Sequence, residues 1–193
     1  MENLLPFDGE VYLYPRLFDF SESAELFRCL AREVPWKQEP IRIFGREIMQ
    51  PRLTAWYGDP GKSYTYSGIT MQPYSWTDDL LFIKDRVEGV AGHGFTSALL
   101  NFYRDGQDSM GWHRDAEKEL GPRPVIGSVS FGAPRTFCLK HIREKEAKVR
   151  VVLESGSFLL MRGATQHHWL HSIPKEAGAE GGRINLTFRT IYA

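Results

Sequence analysis

The sequence predicts an α+β protein, mainly β, with an antiparallel sandwich, jelly roll or barrel as its core. Two helical patterns lie in the first half of the chain. From Phe95 onward, seven or more short segments rich in β-branched and aromatic residues follow, separated by turn residues. Helices followed by a run of strands are typical of this class. At 193 residues, 42% of them hydrophobic, the chain is long enough to bury a sizeable core as one domain.

Each element has a local signal. A short strand in "EVYLYP" precedes "DFSESAELFRCLAREVPW", which predicts a helix capped by Asp19 or Ser21 and ended by Pro35. The expected apolar face of this helix comprises Ala24, Phe27, Leu30, Ala31 and Val34. The segment "IRIFGREIMQPRLTAWYGDPGKSYTYSGIT" predicts hairpins, and a second helix capped by Thr77 covers "SWTDDLLFIKDRVEGVAGHG". The later strands are "FTSALLNFY", "VIGSVSFG", "TFCLKHI", "KVRVVLES", "SFLLMRG", "HHWLHSIP" and "GRINLTFRTIYA".

Composition and charge exclude several classes of protein. The formal net charge is zero, so a general basic clamp for duplex nucleic acid is not expected, and any such binding must rest on a local patch. The two cysteines, Cys29 and Cys138, are too few for a disulfide framework. No signal peptide or membrane-spanning run is predicted. We therefore expect a cytoplasmic protein without a membrane partner, bacterial for preference and nuclear if the source is eukaryotic.

The stretch "GWHRDAEKE" places His113 and Asp115 two positions apart. In a strand, such residues face the same way with Cα atoms about 6.6 Å apart, so an imidazole and a carboxylate could hold one metal; a charged surface turn is the alternative. The candidates for a third ligand are His93, His141, His167, His168 and His171. The strand pattern places His167 and His171 on one face, and His171 lies near a strand end. Two histidines and one carboxylate leave coordination positions open, as in non-haem Fe(II) oxygenases.

The segment "GRINLTFRTIY" predicts a receptor for a co-substrate. Four polar side chains alternate onto one face of this strand, namely Arg183, Asn185, Thr187 and Arg189. An amphipathic strand with this face in water is the alternative. If the face is buried instead, the guanidiniums need a partner, and a dicarboxylate fits because arginine binds carboxylates in a two-pronged manner. Asn101 and Tyr103 share one face of the strand that leads to His113.

Together these motifs resemble the AlkB group of Fe(II)/2-oxoglutarate dioxygenases, and most of all its nucleic-acid-repair homologues two and three. The resemblance runs from about Val34 to the C-terminus and includes "PRLTAWYGD", "YTYSGIT", "NFYRDGQDSMGWHRD" and "SVSFGAPRTF". It implies a double-stranded β-helix (a jelly roll) over residues 95–193. Residues 1–94 would form N-terminal helices and a nucleotide-recognition lid, within a single domain of residues 1–193.

The resemblance also implies a role for each site residue. Fe(II) would be held by His113, Asp115 and His171. The co-substrate 2-oxoglutarate would be bound by Asn101, Tyr103, Arg183, Asn185 and Arg189, with Arg183 at the distal carboxylate and O₂ at the last coordination position. The reaction hydroxylates an N-methyl group on 1-methyladenine or 3-methylcytosine, and the resulting hemiaminal releases formaldehyde, with succinate as the co-product. The implied substrate contacts are Phe44, Arg52, Tyr64, Tyr66, Ser67 and Glu117.

Within the implied lid, Tyr66 would stack on the flipped base against His113, and Glu117 would contact the base edge. Phe44 resembles a wedge that enters a base stack. A phosphate patch is expected from Arg42, Arg46, Arg52 and Lys62. The expected partner is alkylated DNA, single- or double-stranded, with RNA left open, and the protein is expected to be a monomer. The alternatives are a 2-oxoglutarate oxygenase acting on a protein, lipid or metabolite, and a jelly-roll binding protein without iron.

Overall fold

The structure is a computed structural model that describes residues 1–43, 46–61, 64–66 and 69–192. Its strands are β1 (Glu10–Tyr14), β2 (Pro40–Ile43), β3 (Arg46–Met49), β4 (Leu53–Gly58), β5 (Tyr64–Tyr66), β6 (Ile69–Met71), β7 (Ser97–Tyr103), β8 (Met110–His113), β9 (Ile126–Gly132), β10 (Arg135–His141), β11 (Lys148–Leu153), β12 (Ser157–Arg162), β13 (Trp169–Ile173) and β14 (Arg183–Arg189). Its helices are α1 (Phe20–Glu33), α2 (Asp78–Ala91) and the single turn α3 (Thr165–His168), and a 3-10 turn covers Lys118–Leu120.

Two antiparallel sheets form the core. The larger sheet has the order β1-β12-β9-β14-β7-β4, and the smaller sheet has the order β11-β10-β13-β8. Neighbouring strands are mostly distant in sequence, because the chain passes back and forth between the sheets. This topology confirms the predicted mainly β jelly-roll fold. The pairs β2–β3 and β5–β6 form separate hairpins, whereas β1 and β4 from the N-terminal half complete the larger sheet.

The first two helices begin where the sequence predicts. The Asp19 side chain accepts a hydrogen bond from the Glu22 N–H, and the Glu22 side chain accepts one from the Asp19 N–H, which is a capping box. The buried face of α1 carries Ser23, Leu26 and Leu30, so the prediction that Ala24 belongs to this face is wrong. Thr77 caps α2 as predicted. Within the described residues, no helix is long and apolar enough to cross a membrane.

The larger sheet is buried on both faces. Its outer face packs with α1 and α2 in one apolar cluster that includes Leu30, Leu80, Ile184, Leu186 and Phe188. A second apolar cluster lies between the two sheets and includes Leu99, Phe137, Leu159, Trp169 and Ile173. Because the helices cover the face that carries the apolar residues of β14, the polar residues of β14 point into the space between the sheets.

The segment before the last histidine differs from its prediction. Instead of a continuous strand, Thr165–His168 form the turn α3, and β13 begins only at Trp169. His167 therefore does not share a strand face with His171. On β13 itself, Trp169 and His171 are both buried and point toward the smaller sheet's inner side, in agreement with strand alternation.

Candidate active site

Strand pairing brings together the three predicted metal ligands. His113 at the end of β8 lies directly opposite His171 on β13, and their ring centroids are 4.2 Å apart. Asp115 follows two residues after β8 ends, and its Oδ1 lies 3.9 Å from Nε2 of His113. One ligand atom from each of these residues lies within 4.8 Å of the other two. Of the five candidates for the third ligand, His171 is the one that lies beside His113 and Asp115 in the part of the chain that the structure describes.

The protonation states of these groups suit a divalent metal. His113 Nδ1 is 2.9 Å from the Gly111 carbonyl oxygen and donates its proton to it, which leaves the lone pair of Nε2 facing Asp115. Burial, reinforced by His113, lowers the pKa of His171 to about 3, and burial also lowers the pKa of His113. Burial alone would raise the pKa of Asp115, but Arg189 and the two histidines outweigh it and hold the pKa below its usual range. Two neutral imidazoles and one carboxylate are the forms that bind a metal.

The Asp115 carboxylate divides its two oxygens between two tasks. Arg189 donates to Oδ2 from both Nε and Nη2, at 3.2 and 2.9 Å, in a pair that is buried on both sides. Oδ1 remains on the side of His113. Arg189 therefore fixes the rotation of the carboxylate and leaves one oxygen for a metal.

The far end of the same space holds a buried guanidinium. Arg183 is 1% exposed, its Nη2 donates to Ser130 Oγ at 2.9 Å, and its guanidinium lies 5.1 Å from the centre of the Tyr103 ring. Among the described residues, Nε and Nη1 of Arg183 have no hydrogen-bond partner. Burial lowers the pKa of Arg183 to about 10, so it remains charged at neutral pH. A buried charge with unused donors is costly, and an anionic ligand would satisfy it.

A chain of hydrogen-bonded polar side chains lies between the His113–Asp115–His171 cluster and Arg183. Asn185 Nδ2 donates to Ser128 Oγ and to the Val129 carbonyl oxygen, each at 2.8 Å, and Thr187 Oγ1 donates to Asn185 Oδ1 at 3.0 Å. All eight side chains that the sequence assigns to metal and co-substrate line one cavity, namely Asn101, Tyr103, His113, Asp115, His171, Arg183, Asn185 and Arg189. The alternative that the β14 polar face lies in water is wrong.

The predicted substrate contacts Arg52 and Glu117 lie outside the set of cavity-lining residues. Arg52 is 3% exposed and its Nε donates to Asn101 Oδ1 at 2.8 Å, so the prediction that it belongs to an exposed phosphate patch is wrong. Arg52 instead lies directly behind Asn101, which lines the cavity. Glu117 is half-exposed and precedes the 3-10 turn, and its Oε2 is buried without a hydrogen-bond partner among the described residues.

The lid predictions fall largely outside the described residues. Phe44, Lys62 and Ser67 all lie outside them. Tyr64 and Tyr66 are the first and last residues of β5, which pairs with β6 in a short hairpin. Their predicted contacts with a base remain predictions.

Arg135, to which the sequence motifs assign no role, lies behind the cavity against Tyr103. It is buried at the start of β10, and its guanidinium lies 5.7 Å from the centre of the Tyr103 ring. It donates to three backbone carbonyl oxygens, at 3.1, 2.9 and 2.6 Å, those of Asp105, Asp108 and Pro174. Arg135 thus ties together the loops that close the space behind Tyr103. An arginine within the apolar run "SVSFGAPRTF" is the signal that could have identified it.

A second group of potential metal ligands consists of Asp8, His141 and His168, whose ligand atoms also lie within 4.8 Å of one another. His141 Nδ1 accepts hydrogen bonds from the backbone N–H groups of Arg143 and Glu144, at 3.3 and 2.9 Å. The neutral ring therefore carries its proton on Nε2, which faces Asp8 Oδ2 at 3.4 Å. This arrangement suits a donor–carboxylate contact that fastens the N-terminal segment, and it does not suit metal binding through Nε2.

Comparisons with known proteins agree with the site. Residues 10–189 match the 2OG-Fe(II) oxygenase superfamily. The chain is 45% identical over 196 residues to alpha-ketoglutarate-dependent dioxygenase alkB homolog 3 of Rattus norvegicus, covering 95% of this chain and 65% of the relative. It is 42% identical over 188 residues to the human DNA oxidative demethylase ALKBH2, covering 92% of this chain and 72% of the relative.

A solved structure gives the same fold. The structure of OsALKBH1 superposes with a TM-score of 0.65 at 18% sequence identity, covering 93% of this chain and 97% of that chain. The chain spans about two thirds of the length of the curated relatives it matches, between 65% and 72% for the two above. Fe(II), 2-oxoglutarate and O₂ are the reagents of the matching family, and the neutral histidines, ionised Asp115 and unsatisfied Arg183 fit them. The chain belongs to the AlkB group of the 2OG-Fe(II) oxygenase superfamily.

Proposed function

We propose that this protein is an Fe(II)/2-oxoglutarate dioxygenase that removes N-methyl groups from bases such as 1-methyladenine and 3-methylcytosine in nucleic acid. The observation that carries the proposal is the buried Arg183, whose unused donors lie in the same cavity as His113, Asp115 and His171. The names of the relatives support the substrate, since one of them is a DNA oxidative demethylase.

In this proposal each residue of the cavity has a defined task. His113, Asp115 and His171 would hold Fe(II), with Arg189 keeping Oδ1 of Asp115 directed to it. Arg183 would bind the distal carboxylate of 2-oxoglutarate, with Ser130 and Tyr103 fixing the guanidinium. With these reagents bound, the centre supplies the chemistry that inserts one atom of O₂ into an N-methyl C–H bond and the other into succinate, with loss of CO₂. The hydroxymethyl group then leaves as formaldehyde.

The substrate must present its base outside a stack, because the cavity lies between two sheets and a paired base cannot enter it. We propose that the hairpins β2–β3 and β5–β6 form the lid within residues 1–94 that receives the base over the jelly roll of residues 95–193, with Tyr64, Tyr66, Ser67 and Glu117 as contacts. We further propose alkylated DNA, single- or double-stranded, as the partner, with RNA as an alternative to test. The protein would act as a monomer in the cytoplasm, where the free Cys29 and Cys138 suit a reducing environment.

The experiment measures formaldehyde and succinate from oligonucleotides carrying one 1-methyladenine or 3-methylcytosine, with and without 2-oxoglutarate. Formaldehyde in equal amount to succinate, lost in His171→Ala and kept in His168→Ala, is the expected result. His168 is a matched control because it lies three residues away in the same segment and contacts His141 instead of the cavity. Succinate without formaldehyde would indicate an oxygenase with another target. The absence of both products would contradict the whole proposal.

A further inference from the structure

The metal-ligand position of Asp115 is not fixed by a strand. β8 ends at His113, and residues 114–117 have no regular secondary structure. A carboxylate in such a segment can be displaced unless other contacts hold it. Two side chains hold Asp115: Arg189 at the carboxylate and Gln166 at the backbone.

Gln166 is 2% exposed and lies in the turn α3. Its Oε1 accepts a hydrogen bond from the Asp115 N–H at 3.0 Å, and its Nε2 lies 3.6 Å from Met161 Sδ. The Asp115 N–H is therefore satisfied by a side chain from a segment 51 residues away in sequence. Without that acceptor a buried N–H would lack a partner in this segment, and the segment would move to reach one.

The turn α3 is itself firmly attached to the larger sheet. Thr165 Oγ1 accepts from the Glu10 N–H at 2.9 Å and donates to the Arg162 carbonyl oxygen at 2.6 Å. These contacts link α3 to both β1 and β12. A Cβ at Gly9 would lie 2.9 Å from Thr165 Oγ1, so even the residue before β1 fits closely against the turn.

The turn contacts the Asp115 segment at two further points. Arg114 Nη1 donates to the His167 carbonyl oxygen at 3.4 Å, and the His167 ring contacts the Pro122 carbonyl oxygen. α3 therefore contacts both ends of residues 114–122, and its Gln166 contacts Asp115, which lines the cavity. Contacts with β1 and β12 hold α3 in place, and contacts with α3 hold the segment that contains Asp115.

We propose that Gln166 is a positioning residue for the metal site. It anchors the backbone of Asp115 while Arg189 fixes the carboxylate, and the two contacts together direct Oδ1 to the side of His113. The inference rests on the proposed function only in taking His113, Asp115 and His171 as the metal ligands. Outer-shell partners of metal ligands typically change metal affinity by about 10-fold to 100-fold when removed.

The test compares two variants of nearly equal size. Gln166→Met keeps the volume and removes the acceptor, whereas Gln166→Glu keeps an acceptor oxygen at the same reach. The dissociation constant of Mn(II) is measured from the electron paramagnetic resonance signal of the free ion, using protein freed of metal. Loss of binding in His171→Ala shows that the probe reports this site, and His168→Ala in the same turn serves as the control for α3.

We expect Gln166→Met to weaken Mn(II) binding by about 10-fold or more. His168→Ala should stay within about 3-fold of wild type. Gln166→Glu keeps the acceptor but adds a buried charge, and it should lose less affinity than Gln166→Met. Unchanged affinity in Gln166→Met, or equal losses in the Met and Glu variants, would overturn the inference, because packing alone would then explain Gln166. If Gln166→Met does not fold, Gln166→Asn, which shortens the reach of the amide, takes its place with the same expected loss.

Formaldehyde release by the wild-type protein is measured in parallel. A wild type that releases formaldehyde while Gln166→Met binds Mn(II) normally would reject this inference and keep the proposed function. A wild type that releases none, together with weakened Mn(II) binding in Gln166→Met, would reject the proposed demethylation and keep the positioning role.

Discussion

Replacing Arg183 with methionine is expected to separate the stability of the protein from its affinity for 2-oxoglutarate. The guanidinium is buried, makes one hydrogen bond to Ser130, and has two donor nitrogens without a partner among the described residues. Methionine has a similar length and no charge. The substitution thus removes the group that we propose for the distal carboxylate and leaves the cavity wall filled.

The expected loss of affinity follows from the burial of the pair. Removing one partner of a buried, hydrogen-bonded charge pair costs about 2–5 kcal/mol. Since about 1.4 kcal/mol corresponds to a factor of ten, the dissociation constant should rise by about 30-fold to about 4,000-fold. Stability should move little, because replacing a buried unsatisfied charge with an apolar group of similar volume is often neutral or stabilising. A fall in melting temperature of more than about 4 °C, or about 1 kcal/mol in a chain of this size, is not expected.

The assay is calorimetric titration of 2-oxoglutarate into Mn(II)-loaded protein, with melting temperatures of the metal-free variants. Arg183→Lys keeps the charge and loses the two-pronged geometry, so its affinity should lie between wild type and Arg183→Met. Arg162→Met is the matched control, because Arg162 pairs with Glu10 at the surface. A dissociation constant for Arg183→Met within about 3-fold of wild type, about 0.6 kcal/mol, would refute the proposed carboxylate contact.

Three further predictions concern the rest of the site. Arg135→Met should weaken 2-oxoglutarate binding in the same titration without changing Mn(II) affinity, since Arg135 supports Tyr103 and the loops behind it; equal loss of both affinities would contradict this. The pKa of His171 is about 3 in the folded protein and 6.5 in the unfolded reference, so below about pH 6.5 only the unfolded chain binds the proton and the metal-free protein loses stability as pH falls toward 3. Urea unfolding at several pH values should show that the free energy of unfolding falls less steeply with decreasing pH in His171→Ala than in wild type. Identical pH slopes in the two proteins would contradict this prediction. Phe44→Ala should reduce demethylation of duplex more than of single-stranded oligonucleotides in initial rates at one salt concentration, and equal reductions would reject the wedge.

The sequence by itself determined the local patterns of the site. The alternation in "GRINLTFRTIY" placed Arg183, Asn185, Thr187 and Arg189 on one face, because successive side chains of any strand point to opposite sides. The caps Asp19 and Thr77 were readable for the same reason, since a cap needs only residues within one turn. The resemblance carried by several short motifs in order gave the family and the jelly roll.

What only the tertiary structure decided depends on contacts between distant segments. Whether the polar face of β14 lies in water could not be read locally, because it depends on α1 and α2 covering the opposite face. The resemblance named His171 among the five histidines, but its position opposite His113 rests on the register of β13 against β8. Gln166 and Arg135 carry no local signal of their partners, which lie far away in sequence. Periodicity is a property of the backbone of one segment, whereas burial, register and hydrogen-bond satisfaction are properties of the packed chain.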